Sequence, residues 1–365
     1  MPGTTQQSAV RNAPAAQWSA SAPGRHVCPK PTRDKAECGV IILKSGVTPD
    51  RAGWGPPDLQ AAYNLPSTSR GTGQVVAIVD AYDNPNVASD LAAYRSYYGL
   101  PRANFTKYNE KGQQGHYPKG DANWGYEIDL DVQMVSAVCP NCTIYLVEAN
   151  DDSDLGTAEL EAVKLGAHIV SNSWGWDSIP ESDFDHRDVV YIAASGDSGY
   201  GSSVPAKFPN VVSVGGTLLA KRGSHYKEIV WPFTGGGCAD GVAKPPWQHD
   251  PGCTSRTQND IAAVASDVAE YDSYGYRGWF TDGGTSVSSP LIAGIYGLAG
   301  NATSQHAAKR LWSLSQRQRN RYLHAITEGS DGSCGGSYLC TAGTGQFGTY
   351  SGPAGWGTPY GIGAF

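Results

Sequence analysis

The run "QVVAIVDAY" at residues 74–82, followed by "ASDLAAYRSYYG" at 88–99, decides the fold. The first run is apolar, rich in β-branched residues and ends near an acid, Asp80; the second carries apolar residues at helical spacing. The alternation repeats. Strand-like runs recur at "TIYLVEAN" (143–150), "AHIVSNSWG" (167–175), "DVVYIAASGD" (188–197) and "NVVSVGGT" (210–217). Helical patterns recur at "YEIDLDVQMVSAV" (126–138) and "DLGTAELEAVKLG" (154–166). Continuous apolar strands separated by helices predict an α/β fold: a doubly wound, mostly parallel sheet with helices on both faces. Sites in such sheets form beyond the carboxyl ends of the strands. That rule singles out Asp80, Glu148, Ser173, Trp174 and Asp197. Residues 218–282 are patterned less regularly and read as loops and short strands.

The 365 residues are 40% hydrophobic and 17% charged, enough for a large core. A net charge of -7 argues against nucleic acid or an anionic membrane as partner. No apolar run reaches the roughly 18 residues that a membrane span needs, and a monomer is expected. The cysteines fall into neighbouring pairs: Cys28 with Cys38, Cys139 with Cys142, Cys238 with Cys253, and Cys334 with Cys340. Such pairing predicts local disulfides and an oxidising, extracellular compartment. "CPNC" (139–142) also invites a zinc or redox reading. Zinc would need a second ligand pair, and a redox pair opens a helix rather than following one, so a structural bridge is preferred. Residues 1–51, rich in Ala, Ser, Pro and basic residues, read as a leader or remnant pro-segment partly stapled by Cys28 and Cys38. Their first residues lack the apolar centre of a signal peptide. Residues 52–365 read as the main domain.

Against this frame stands "DGGTSVSSPLIAGIYGLAG" (282–300). It predicts an apolar helix opening on Thr-Ser, with Pro290 tolerated because the first turn offers its missing N–H no partner. A serine there meets free backbone N–H groups and the positive end of the helix dipole. Taken alone, "TS" before a helix is a cap. Gly283 and Gly284 allow close approach of another chain, which makes Ser286 a candidate nucleophile. No Gly-Lys-Ser/Thr follows a glycine-rich loop, so a phosphate-binding P-loop is excluded.

A serine nucleophile needs a base, and no histidine stands where one is expected. His26, His116, His168, His186, His225, His249, His306 and His324 all lie outside a His-Gly-Thr context on an early helix. The early helix carries acids instead. Glu127 and Asp131 are four apart and share one face, whereas Asp129 points elsewhere. Ile128, Leu130, Val132, Met134 and Val135 surround them, so at least one carboxyl faces a restricted space. Two crowded carboxylates share a proton, and such a pair can accept the proton of a serine, with Glu127 as base and Asp131 as its orienter.

"GGTSVSSP" resembles the Gly-Thr-Ser-x-x-x-Pro nucleophile motif of subtilisins and of sedolisins, the serine-carboxyl peptidases. "Glu-x-x-x-Asp" on an earlier helix resembles the sedolisin arrangement specifically, and "GPPDLQAAYNLP" (55–66) resembles the mature start of bacterial members. The resemblance covers about residues 55–365. It implies a subtilisin-like fold and a secreted endopeptidase acting on polypeptides in acid, with Ser286, Glu127, Asp131 and Asp197 as catalytic residues. Asp197, in "SGDSG", would stand where a subtilisin has its oxyanion asparagine and would have to be protonated to donate. "SNSWG" would supply Ser173, Trp174 and Gly175 as the strand that pairs with substrate backbone.

The family's calcium site is implied only weakly. "HAIT" and "TYSGPAGWGTP" place Ala325 and Ser351 where two carboxylates are expected, and Glu328 and Asp331 are out of register. No metal or other cofactor is therefore expected with assurance. The alternative reading is a catalytically inactive peptide-binding protein of the same fold.

Overall fold

The computed structural model describes residues 24–44, 53–302 and 306–365. Of the predicted leader, residues 1–23 and 45–51 lie outside that description. The central sheet runs in the order His225–Val230, Val211–Arg222, Val190–Ala194, Ile169–Asn172, Val75–Ala81, Thr143–Ala149 and Asn104–Asn109. Ile261–Val264 pairs with Val211–Arg222 as an eighth strand. Every pairing is parallel except the hairpin of Val211–Arg222 with His225–Val230. Val76 to Ala81 are buried without a break, as a strand covered on both faces requires.

The helices cover both faces. Ala122–Val138 and Thr285–Ala299 pack on each other and on the sheet, while Leu155–Lys164 packs on Val75–Ala81 and Thr143–Ala149. The helix–helix contact is close because Gly294 faces Val138: a Cβ there would come within 2.5 Å of a Val138 methyl. That contact holds the two acids of one helix and the serine of the other at a common depth.

Residues 218–282 hold loops and short strands, as their pattern implies: Gly237–Ala243, Ser255–Gln258, Ile261–Val264, Ser266–Asp272 and Gly278–Gly283 are four to seven residues long. One expectation is corrected: the serine helix begins at Thr285, so Pro290 is its sixth residue and lies past the first turn. The proline removes the N–H that would bond the Ser286 carbonyl. The Ser173 hydroxyl oxygen lies 3.4 Å from that carbonyl.

All four neighbouring cysteine pairs form disulfides. Cys139 ends the helix that carries the acids, in line with a structural bridge. A second, antiparallel sheet joins Arg25–His26, Ile41–Lys44, Gly278–Gly283 and Ser266–Asp272. It delivers the chain directly into Gly284 and the serine helix.

The loop carrying Asp197 is anchored from Arg256–Asp260. The Gln258 amide donates to the Ser195 carbonyl at 2.9 Å, and the Asn259 amide donates to the Gly235 carbonyl at 2.7 Å. Asn259 holds a φ of 66°, a left-handed conformation that asparagine tolerates better than most residues. Asp260 fixes this turn, accepting from both terminal nitrogens of Arg256, from Ser213 N and from the Trp312 indole. Both charged partners are fully buried. Asp260→Ala leaves the Arg256 guanidinium buried without its counter-charge and is expected to cost about 3–5 kcal/mol. Urea unfolding of the variant beside the parent measures it; a loss below about 1 kcal/mol, the scale of an exposed ion pair, contradicts the assignment.

Candidate active site

Ser286 follows a glycine that no other residue can easily replace. Gly284 caps the helix at φ 119°, and a Cβ on it would lie 2.4 Å from the Gly39 carbonyl oxygen and 2.9 Å from Asp197 Oδ2. Ser286 is fully buried, and its hydroxyl donates to the Ser173 carbonyl at 3.1 Å. Ser288 and Ser289 are ordinary helix residues by comparison. The Ser288 hydroxyl donates to the Ala263 and Val264 carbonyls, and Ser289 meets the Ser171 hydroxyl.

Glu127 and Asp131 project from one face of Ala122–Val138, and both are fully buried. Glu127 Oε2 accepts from the Val40 N–H at 2.7 Å, and Oε1 has no partner among the described residues. Asp131 Oδ1 accepts from the Ser173 hydroxyl at 2.7 Å, and Oδ2 is likewise without a partner. Asp129 points away as expected, accepting from the Asn84 amide at 2.6 Å and facing Asp90 and Asp272.

Burial pushes the Glu127 carboxyl well above the ordinary range, and the charge of Asp80 pushes it further. The nearby Ser286 hydroxyl and the Val40 N–H offset part of that rise. Burial likewise raises Asp131, with Asp80 and Glu127 adding to the effect. Asp80 is the member of this cluster that motif reasoning left unassigned. It is the penultimate residue of the strand Val75–Ala81, is fully buried with neither oxygen paired among the described residues, and is raised by burial to about 8. The signal was present in "VVAIVDAY", an acid at the carboxyl end of a central strand. The cluster is therefore three carboxyls sharing few charges, beside a serine.

Asp197 lies across the serine from them. Its Oδ1 accepts from the Thr285 N–H at 2.8 Å and the Thr285 hydroxyl at 2.9 Å, while Oδ2 is unpaired among the described residues. Burial raises this carboxyl to about 7 despite those two donors. Below that pH it carries a proton, and the free oxygen can present it toward Gly39. Thr285, which the motif passed over, is what holds Asp197 at the helix terminus.

The strand Trp174–Gly175 pairs antiparallel with Glu37–Cys38 of the same chain, and the Ser173 carbonyl accepts from the Gly39 N–H at 3.2 Å. The backbone of "SNSWG" thus takes an extended segment, as expected of a strand that adds a partner. The Trp174 indole itself is turned inward and donates to the Val79 carbonyl at 2.9 Å. A cavity of about 260 Å³ opens beside Gly39, lined by Glu37, Ser173, Gly175, Asp197 and Thr285 among others.

No histidine shares a hydrogen bond with Ser286, Glu127, Asp131 or Asp197 among the described residues. His168 meets the Asp188 carbonyl and His186 the Tyr191 hydroxyl. The two positions where the resemblance implies calcium carboxylates hold none: Ala325 offers no side-chain donor, Ser351 Oγ is buried without a partner among the described residues, and Glu328 is paired with Lys227. Asp331, out of register in the sequence, is buried there with neither carboxyl oxygen paired among the described residues. Its Oδ2 and the Gly352 carbonyl flank the point where a Gly236 Cβ would sit, so an anionic oxygen of the kind that calcium prefers is present.

The fold and this arrangement define a member of the subtilase family, whose model matches residues 106–357; the chain belongs to that family. Within it the chain is a sedolisin-like member. It is 29% identical to kumamolisin of Bacillus sp. (strain MN-32) across 84% of this chain and 62% of that protein. It is 25% identical to sedolisin of Pseudomonas sp. (strain 101), covering 84% and 60%, and 26% identical to human tripeptidyl-peptidase 1, covering 88% and 64%. The chain thus spans about three fifths of the length of these relatives. The solved structure of Pseudomonas sedolisin with pseudo-iodotyrostatin superposes at a TM-score of 0.72 and 24% identity, over 84% of this chain and 95% of that one.

The buried carboxyls set a pH dependence for the fold. Unfolded, Asp and Glu lose their protons near pH 4; folded, Asp197 and Asp80 hold theirs to about 7 and 8. The folded state therefore binds more protons than the unfolded chain between those limits. Stability is full below about pH 4 and declines as pH rises toward 8. Thermal melts of the Ser286→Ala protein at pH 4 and pH 7.5 are expected to show the higher midpoint in acid. A higher midpoint at pH 7.5 contradicts the raised carboxyls.

Proposed function

We propose that this protein is a serine-carboxyl endopeptidase that hydrolyses polypeptides in acid outside the cell, acting as a monomer. The observation that carries the reading is the convergence of three groups on one peptide. The Ser286 hydroxyl, the Glu127 carboxyl and the free oxygen of Asp197 lie at Gly39 and Val40, and the charges of Asp80 and Asp131 act on the same buried cluster. In this reading Ser286 Oγ attacks the substrate carbonyl and Glu127 takes its proton. Asp131, held by the Ser173 hydroxyl, and Asp80 keep a second proton shared nearby, so that Glu127 can give and accept. Protonated Asp197 donates to the oxyanion, and Glu127 passes its proton to the leaving amine.

An endopeptidase is preferred over the tripeptidyl mode named in some relatives because the groove holds extended chain on both sides of Ser286. Glu37–Cys38 pairs on one side and Ile41–Lys44 pairs with Gly278–Gly283 on the other. The disulfides favour an extracellular setting. The net charge of -7 and the absence of a helix long and apolar enough to cross a membrane among the described residues favour neither nucleic acid nor bilayer as partner.

Denatured casein at about pH 4 is expected to be cleaved by the parent, with Ser286→Ala reducing the rate by at least about 10³-fold. Activity should fall as pH rises through about 7, where Asp197 loses its proton. Asp197→Asn, which keeps a donor at every pH, should move that alkaline limb upward. Equal casein cleavage by the parent and Ser286→Ala refutes the peptidase reading, and no cleavage by either supports the peptide-binding alternative.

A further inference from the structure

We propose that Asp90, Asp129 and Asp272 hold a divalent cation of calcium size behind the acid helix, on elements that do not carry the positions at Ala325 and Ser351. The site joins the helix of Glu127 and Asp131 to the hairpin that leads into Ser286. It stands whether or not the peptidase reading holds.

Three elements bring these carboxyls together. Asp90 lies in the helix Val87–Tyr97 and Asp129 in Ala122–Val138, while Asp272 ends the strand Ser266–Asp272, which packs on both helices. One oxygen from each residue lies within 4.8 Å of one from either of the others. Calcium takes its oxygens at about 2.3–2.6 Å, so two ligands of one ion stand at most about 5 Å apart. The three oxygens fit that sphere. Water is largely shut out, since none of the three residues is more than 1% exposed. No lysine, arginine or histidine forms an ion pair with any of them among the described residues. Three carboxylates buried without a positive partner are costly.

The neighbouring strand residues give a second, independent sign of a missing cation. Side chains two apart on a strand share a face, so Glu270 projects to the same side as Asp272. Val268 shares that side too, and it lies opposite Asp282 in the hairpin, which brings Asp282 to the same face. Glu270 and Asp282 are fully buried, and all four of their carboxyl oxygens lack a partner among the described residues. Asp129 Oδ1 lacks one as well. Burial raises the Glu270 carboxyl, and the charges of Asp282, Asp129 and Asp272 raise it further. Glu270 therefore faces the three aspartates with both oxygens unsatisfied.

The ligands are oriented before any ion arrives. Asp90 accepts from the Ser273 N–H at 2.9 Å and the Ser273 hydroxyl at 2.7 Å. Asp272 accepts from the N–H groups of Tyr274, Gly275 and Tyr276, and Asp129 Oδ2 from the Asn84 amide. A carboxylate has about four acceptor positions, so each keeps room for an ion. The ion would be structural, not catalytic. Asp129 stands two residues from both Glu127 and Asp131, and the strand Gly278–Gly283, paired with Ser266–Asp272, runs into Gly284 and the serine helix. One bound cation would thus fix the acid helix against the chain that delivers the serine.

The test uses the full Ser286→Ala chain at about pH 7, where exposed carboxyls are charged, dialysed against calcium and then freed of unbound ion. Bound calcium is read by atomic emission, and melting is followed with and without calcium. Calcium in roughly hundredfold excess over its dissociation constant should raise the melting midpoint by about 5 °C. Asp90→Asn and Asp272→Asn, added separately and checked for fold by circular dichroism, should each lose about one calcium per chain and most of that rise. Asp331→Asn should keep both. Unchanged calcium content in the folded Asp90→Asn and Asp272→Asn chains, or no calcium bound before they are made, overturns the proposal and leaves protons to satisfy the cluster. Should those two variants not fold, terbium decides on the intact site, which Tyr274 and Tyr276 border. Tyrosine-excited terbium emission that calcium quenches, and that Asp331→Asn leaves intact, supports the site. Absence of that emission, or its loss with Asp331→Asn, overturns it.

Discussion

The structure turns on burying carboxyls where no base of another kind is available. Asp80, Glu127 and Asp131 come from a strand end and one helix face and are all taken out of water. No lysine, arginine or histidine forms an ion pair with any of them among the described residues. Isolated charges in such a place are costly, so the carboxyls answer by holding protons. Protonated carboxyls need no counter-charge there, which is how the fold tolerates three of them together.

The remaining architecture serves that cluster. The central strand places Asp80, and the packing of Ala122–Val138 on Thr285–Ala299 brings acids and serine together. Pro290 leaves the Ser286 carbonyl without its helical N–H, and the Ser173 hydroxyl oxygen lies 3.4 Å from that carbonyl and 2.7 Å from Asp131 Oδ1. One hydroxyl thus touches the acid helix and the serine helix. Arg256 and Asp260, fully buried and paired, fix a turn whose neighbours hold the Asp197 loop. Their stability is structural, and its effect on the site is positional.

Much of this was legible in the sequence. The alternation of apolar strands with helices was enough for a doubly wound sheet, and the i,i+4 spacing of Glu127 and Asp131 placed them on one face while turning Asp129 away. "SGDSG" and "GGTSVSSP" pointed to the other two site residues because strand ends and helix N-termini are local features. What could not be read depends on contacts distant in sequence. Asp80 was marked by its strand end, but that it meets Glu127 and Asp131 depends on how its strand and their helix pack, which no local pattern encodes. Trp174 reads as a groove residue by position, yet its indole is drawn inward by the Val79 carbonyl. The hold of Gly39 and Val40 on the groove spans more than 80 residues of chain, from Val40 to Glu127. Low hydrophobic periodicity before residue 52 gave no hint of it.

The most direct measurement of the central claim is a carboxyl ¹³C NMR titration of the folded Ser286→Ala protein, with Asp197→Asn and Glu127→Gln spectra to assign the signals. The Asp197 resonance is expected to titrate near 7 and the Glu127 resonance well above the ordinary glutamate range. Both carboxyls titrating at or below about 4.5, as exposed groups do, would contradict it.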